Sequence, residues 1–251
     1  GALAYAQLKR YLGIEGGDIY VFDPGQQLAY VEEPVLRWAG ADVIPLDLGL
    51  LKGWQPWRLP DGTPAKLRGD FALEPDGRGG WYHVSGGRRV AYMPASSYYF
   101  DTIYHPLAEA SSLAEVERYQ LEDVSDEDLR LLEREAKRLY EETDYAIMGG
   151  FGGAFLEGGQ GLRGWDQFLV DIAINRPLAE AILDKILEHN IRNVRRYLEA
   201  VGRYIQLIQV GGDLGTQGGP QIRPEWYYEL LQPREKAFWS EIHRQSDCKV
   251  F

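Results

Sequence analysis

Three short apolar runs, "ADVIPLDL", "DYAIMGGFGG" and "YIQLIQV", are separated by long segments of helical periodicity, and this alternation most constrains the fold. Strands joined by long helices pair in parallel, because a hairpin turn cannot connect parallel neighbours and a helical crossover can. The expected class is therefore α/β. The architectures open to it are an open doubly wound sheet and a closed eight-stranded barrel, and the long helical stretches favour a (β/α)₈ barrel. In either, functional loops gather at the carboxyl ends of the strands. Asp47, the glycines of 149–153 and Asp213 all occupy such positions.

Around these strands the chain reads as follows. Residues 2–12 have helical spacing, with Gly13 as a stop. "DIYVFD" is a short strand, and "QQLAYVEEPVLRWAG" is helical with a proline interruption. Residues 52–100 change character, with Trp54, Trp57, Trp81, Tyr82, Tyr92, Tyr98 and Tyr99 among Gly, Pro and Arg. They are expected to form antiparallel hairpins, a β-rich insertion within one domain spanning 1–251. "VSDEDLRLLEREAKRLYEET" is a helix with Ser125 as N-cap and acids in its first turn. "WDQFLVDIAI" and "PLAEAILDKILEHNIRNVRRYLEAVG" are helices, the second with Leu183, Leu187, Ile191, Val194 and Leu198 on one stripe. A last helix is expected from about Pro224 to Gln245. The chain opens on a helix and stops in "SDCKVF", the start of another strand, so it is expected to be an internal piece of a longer protein.

Charge and composition remove several classes. A net charge of −11 opposes a nucleic-acid surface, which needs clustered Lys and Arg. No apolar run approaches the ~20 residues of a membrane span. The N-terminus lacks the cationic start and apolar centre of a secretory signal. The single cysteine, Cys248, excludes an internal disulfide, fits a reducing cytoplasm and reads as a small buried hydrophobe.

The candidate site residues lie in the glycine loops. "GGFGGAFLEGG" does not reproduce the dinucleotide-binding glycine spacing, and no P-loop Gly-Lys-Ser or Gly-Lys-Thr occurs. Within it, Glu157 is either a capping or ion-paired residue or a pocket carboxylate. Asp213, with glycines at 211, 212 and 215, is either an Asx-turn residue that caps its own loop or a site carboxylate for a metal, a proton or a substrate polar group. Gln217 either orients a ligand or satisfies loop backbone. His83, His105, His189 and His243 are scattered and form no zinc pattern with Cys248.

"GGDLGTQGGPQIRPEWYYELLQPREKAFWSEIH" resembles the uroporphyrinogen decarboxylase superfamily, in the branch of corrinoid-linked methyltransferases. That branch typically shows Asp-Asp-Leu-Gly-Thr-Gln; here Gly212 replaces the first Asp, while Asp213, Leu214, Gly215, Thr216 and Gln217 match. "LKRYLGI", "FDPGQQLAYVEEPVLRWAGADV", "YHPLAEA", "ETDYAI" and "LRGWDQFLVDIA" resemble family segments in family order. The resemblance implies a (β/α)₈ barrel that moves a methyl group to or from a corrinoid held on a partner protein, with a small-molecule methyl donor or acceptor. It also implies a zinc ion, whose His-x-Cys motif and later cysteine would follow Phe251; residues 1–251 are not expected to bind zinc tightly. The alternatives are a decarboxylase of porphyrin biosynthesis and a non-catalytic corrinoid- or tetrapyrrole-binding module. Against decarboxylation, the Phe-Ser-Asp context is absent, the strand end reading "IPLDLG", and the tyrosine after a "GAPWT"-like loop is unmatched. Asp213 is the expected catalytic residue, facing the central cavity with Gln217 on the same wall and Asp47 opposite; Gln217, Asp47 and Glu157 are the expected substrate contacts.

Overall fold

The computed structural model describes all residues, 1–251, and the chain divides into two compact units. One comprises Gly1–Asp42 and Leu48–Tyr104, the other Val43–Asp47 and His105–Phe251.

The first unit opens with α1 (Ala2–Tyr11), β1 (Tyr20–Asp23) and β2 (Leu28–Ala29), followed by α2 (Glu33–Ala39). The helix expected across "QQLAYVEEPVLRWAG" is thus confined to its second half. Gln27 takes a positive φ of 51° and starts a strand pairing, while Pro34 lies in the first turn of α2, where its missing N–H costs nothing. The chain then gives β3 (Val43–Leu46) to the second unit and returns with β4 (Trp54–Arg58), β5 (Pro64–Arg68), β6 (Ala72–Pro75), β7 (Trp81–Ser85), β8 (Arg88–Met93) and β9 (Asp101–Thr102). One sheet has the order β2-β1-β5-β4, the other β6-β7-β8-β9. The tryptophan-rich stretch pairs antiparallel throughout, apart from β5, which also runs parallel to β1. Tyr5, Ile19, Val21, Val35 and Leu67 form the core of this unit.

The second unit contains α3 (Leu113–Arg118), α4 (Asp126–Glu142), β10 (Ala146–Gly152), α5 (Leu156–Arg163), α6 (Trp165–Ile174), α7 (Arg176–Val201) and β11 (Leu207–Val210). A small hairpin, β12 (Gly215–Thr216) with β13 (Gly219–Pro220), precedes α8 (Pro224–Trp226), a π-helical turn at Tyr227–Leu231, α9 (Gln232–Gln245) and β14 (Lys249–Val250). Its sheet has the order β14-β11-β10-β3, and every pairing is parallel. The three apolar runs are neighbours, as their helical separation requires. Ile44, Leu46, Ile147 and Ile208 point to one buried face, each at most 6% exposed. The sheet is open, so the protein is α/β with parallel strands and its four strands do not close an eight-stranded ring.

Two details depart from the sequence pattern. The buried stripe of α7 carries Asn190 and Asn193 beside Ile182, Ile186 and Val194. Both amides are paired: Asn190 donates to Gly153 O, and Asn193 accepts from Val124 N–H and donates to Asp123. The other departure is α5, which occupies "LEGGQGLR", a stretch that reads as glycine loop. Its glycines serve packing, since a Cβ at Gly159 would collide with the Phe168 ring of α6 and one at Gly158 would lie 3.2 Å from Ile186 of α7.

Candidate active site

The carboxyl ends of β3, β10 and β11 converge on an open cavity of about 480 Å³. Asp47, Phe151, Glu157 and Gln209 line it, with backbone from Gly150, Gly152, Gly211 and Gly212. Register explains the convergence. Leu46 pairs with Gly149, so Asp47 follows level with Gly150, which itself pairs with Gln209; Val210 pairs with Gly152, so Gly211 leaves the sheet just beyond them.

Two of these glycines, Gly150 and Gly212, are required by close approach. A Cβ at Gly150 would stand 3.2 Å from Asp47 Oδ2, so the carboxylate lies along bare backbone. A Cβ at Gly212 would stand 2.8 Å from the Ala154 Cβ and 3.1 Å from Glu157 Oε2. Glu157 lies in the first turn of α5, where the unpaired N–H groups of a helix start favour an acid. Its Oε2 accepts from the Asp213 N–H at 2.9 Å. Behind it, α5 is tied to α6 by the buried Arg163–Asp171 ion pair at 2.7 Å, and Arg163 also donates to the carbonyls of Leu107 and Ala108.

The four candidate residues separate into two pairs. Asp47 and Glu157 share the cavity lining. Asp213 is exposed and does not line the cavity; it is held through its backbone, the N–H by Glu157 and the carbonyl by Gln221 Nε2 at 3.1 Å. Gln217 is exposed at the turn of the β12–β13 hairpin, where Thr216 Oγ1 satisfies Gly218 N–H. Asp213 and Gln217 therefore stand on the loop above the cavity, not on its walls opposite Asp47. Of the glycines around Asp213, Gly212 serves the approach of the loop to Ala154 and Glu157 rather than freeing the Asp213 carboxylate.

Sequence reasoning missed Gln221, which organises this loop. Its Oε1 accepts from Gln160 Nε2 at 2.8 Å and Trp165 Nε1 at 3.1 Å, while its own amide holds the Asp213 carbonyl. Nothing local marks it, because its partners lie on α5 and α6, some sixty residues earlier.

Beneath the glycine strand lies Tyr197 of α7. A Cβ at Gly149 would overlap its hydroxyl, and Phe151 packs edge-on to its ring at 5.6 Å. The hydroxyl is buried with no hydrogen-bond partner. Burial, reinforced by the Asp47 charge, pushes its pKa well above that of an ordinary phenol, so it stays neutral at every physiological pH.

No Lys, Arg or His lines the cavity. No group of three or more His, Cys, Asp or Glu side chains converges to hold a metal ion. No helix is long and apolar enough to cross a membrane.

Fold and site together define an α/β protein with a carboxylate-and-glycine cavity at the carboxyl ends of parallel strands. No family model matches the chain, and no curated protein matches it. Among solved structures, a methyltransferase from Methanosarcina mazei is similar at 15% identity and a TM-score of 0.45, over 82% of this chain and 50% of its own. The chain thus spans about half the length of that protein, a likeness too distant to assign an activity.

Proposed function

We propose that the chain belongs to a methyltransferase that moves a methyl group between a small molecule and a corrinoid carried on a partner protein, on a (β/α)₈ barrel of the uroporphyrinogen decarboxylase type. The support is the ordered set of resembling segments together with one observation: Asp47 and Glu157 border one cavity at the strand ends, where α/β folds place chemistry. A corrinoid, when bound, supplies a cobalt-held methyl or accepts one. The chain's own contribution is proton handling and positioning. A carboxyl group at Asp47 gives a proton to a heteroatom losing its methyl, or its carboxylate takes one from a heteroatom about to gain it. The bare backbone of Gly211, where a Cβ would meet nothing within 4 Å, lets the substrate approach closely, and the cavity volume is that of a small-molecule site. No step is assigned to zinc, since these residues offer it no ligand set.

The same lining speaks against porphyrinogen decarboxylation at this cavity. A substrate bearing many carboxylates needs cations, and the cavity lining holds two carboxyl side chains and no Lys, Arg or His.

The experiment is turnover of the full-length protein with free methylcobalamin and candidate thiol, phenol and amine substrates. Asp47→Asn is expected to lower kcat by about 10²-fold or more, the usual scale for a positioned acid or base. Asp213→Asn, altering an exposed side chain whose backbone does the holding, is expected to stay within about threefold of the parent. A silent Asp47→Asn variant beside an inactive Asp213→Asn variant would return the catalytic role to Asp213. Absence of methyl transfer with every substrate, alongside decarboxylation of a porphyrinogen, would overturn the reading.

A further inference from the structure

The loop of residues 211–220 leaves the end of β11 and does little to hold itself in place. Gly211 to Gly218 are all exposed. Its own ladder is the pairing of Gly215 with Pro220 and of Thr216 with Gly219, and an isolated two-stranded hairpin is marginally stable in water. Glycines at 211, 212, 215, 218 and 219 add backbone freedom that ordering must overcome. Yet Gly211 and Gly212 form part of the cavity wall. Beyond the root of the loop, where Gly211 N–H donates to Gly152 O at 3.3 Å, side chains from outside it converge on Asp213. Glu157 holds the Asp213 N–H and Gln221 holds its carbonyl. Both arms lead back to α5: Glu157 and Gln160 share one face of that helix, and Gln160 Nε2 donates to Gln221 Oε1.

We propose that Gln221 is a positioning residue for substrate binding, its amide latching the loop where Gly211 and Gly212 complete the cavity wall. The inference rests on that cavity being the substrate site, as proposed above. Chemistry selects the amide. An indole N–H only donates and a backbone carbonyl only accepts. The Gln221 oxygen therefore takes the bonds from Trp165 Nε1 and Gln160 Nε2, and its nitrogen donates to the Asp213 carbonyl. A glutamate at this position keeps the first two bonds and loses the third, setting a carboxylate against the carbonyl. One substitution thus separates the anchor on α5 and α6 from the grip on the loop. The bond from the Gln221 N–H to the Leu214 carbonyl, at 2.9 Å, belongs to the backbone and survives it. One such hydrogen bond changes an equilibrium by roughly two- to tenfold. In an exposed glycine-rich loop, a change of that size opens the segment without unfolding the rest.

The test is Gln221→Glu in the full-length protein, read by hydrogen exchange of residues 211–219 and by steady-state kinetics on a substrate that the parent turns over. Loop exchange is expected to quicken by about tenfold, since repulsion adds to the lost bond. KM is expected to rise severalfold while kcat stays within about threefold, because Asp47 is untouched. Circular dichroism shows whether the variant keeps the parent fold. Should it fail to fold, Trp165→Phe is the milder probe. It removes one of the two donors to the Gln221 oxygen from an exposed ring, and is expected to quicken loop exchange by about twofold. Unchanged loop exchange overturns the proposal, even where the thermal midpoint falls, because the side chain then supports the fold and not the loop. Faster loop exchange with KM unchanged also overturns it, since the loop would then not set substrate binding. A parent that transfers no methyl group overturns the proposed activity instead, and loop exchange alone then decides whether Gln221 is the latch.

Discussion

Glycine at 149 and tyrosine at 197 form a matched pair whose energetics oppose each other. Gly149 has no special φ to explain it; what it avoids is a collision with the buried Tyr197 hydroxyl. That hydroxyl in turn lacks a partner, and an unpaired buried polar group costs about 1–3 kcal/mol. Gly149→Ala is expected to destabilise the protein by about 1–3 kcal/mol through overpacking. Tyr197→Phe removes the closest clash and the orphan oxygen, leaving a Cβ at 149 only the tighter-than-usual contacts with Ile205 Cδ1 at 3.1 Å and the ring carbon at 3.3 Å, so it should be neutral or stabilising by about 1 kcal/mol and should recover part of the loss in the double variant. Urea denaturation of the three variants measures this; additivity of the two single effects would show that the residues do not interact. Asp213 illustrates what sequence hides at this scale. Its neighbours in sequence are glycines, which suggested a carboxylate with room to enter a cavity. Its neighbours in space, Glu157 and Gln221, engage its backbone instead.

Among elements, those with a strong period were legible and those shaped by glycine were not. Ser125 caps α4 through the Asp128 N–H, as its acid-rich first turn indicates, and α6, α7 and the Pro224–Gln245 helical stretch lie where their apolar spacing put them. Helix α5 was illegible because low-propensity glycines were selected for the approach of α6 and α7, a tertiary requirement that overrides local preference. The ties of α7 to its surroundings likewise appear only in space. Asp123 accepts a bidentate pair from Arg192 and a bond from Asn193, and Glu241 of α9 is clasped by Arg195, Arg244 and Gln245. Hydrogen bonds from Arg192 hold the Asp123 carboxyl at about 2, and those from Arg195 and then Arg244 hold Glu241 at about 2. Both values lie below those of the unfolded chain, so both groups stabilise the fold at neutral pH and lose that contribution as pH falls from about 4 to about 2. His189, depressed by burial, acts in the same direction from about pH 6.5 downward. Asp123→Asn is therefore expected to lower the thermal midpoint at pH 7 and to match the parent near pH 2. A gap between the two that persists at pH 2 would assign the effect to packing.

At the scale of the whole molecule, alternating strands and helices were enough to read a parallel α/β protein, because a chain has few other ways to connect parallel strands. They could not decide between an open sheet and a closed ring, since closure depends on strand number and shear rather than on any local period.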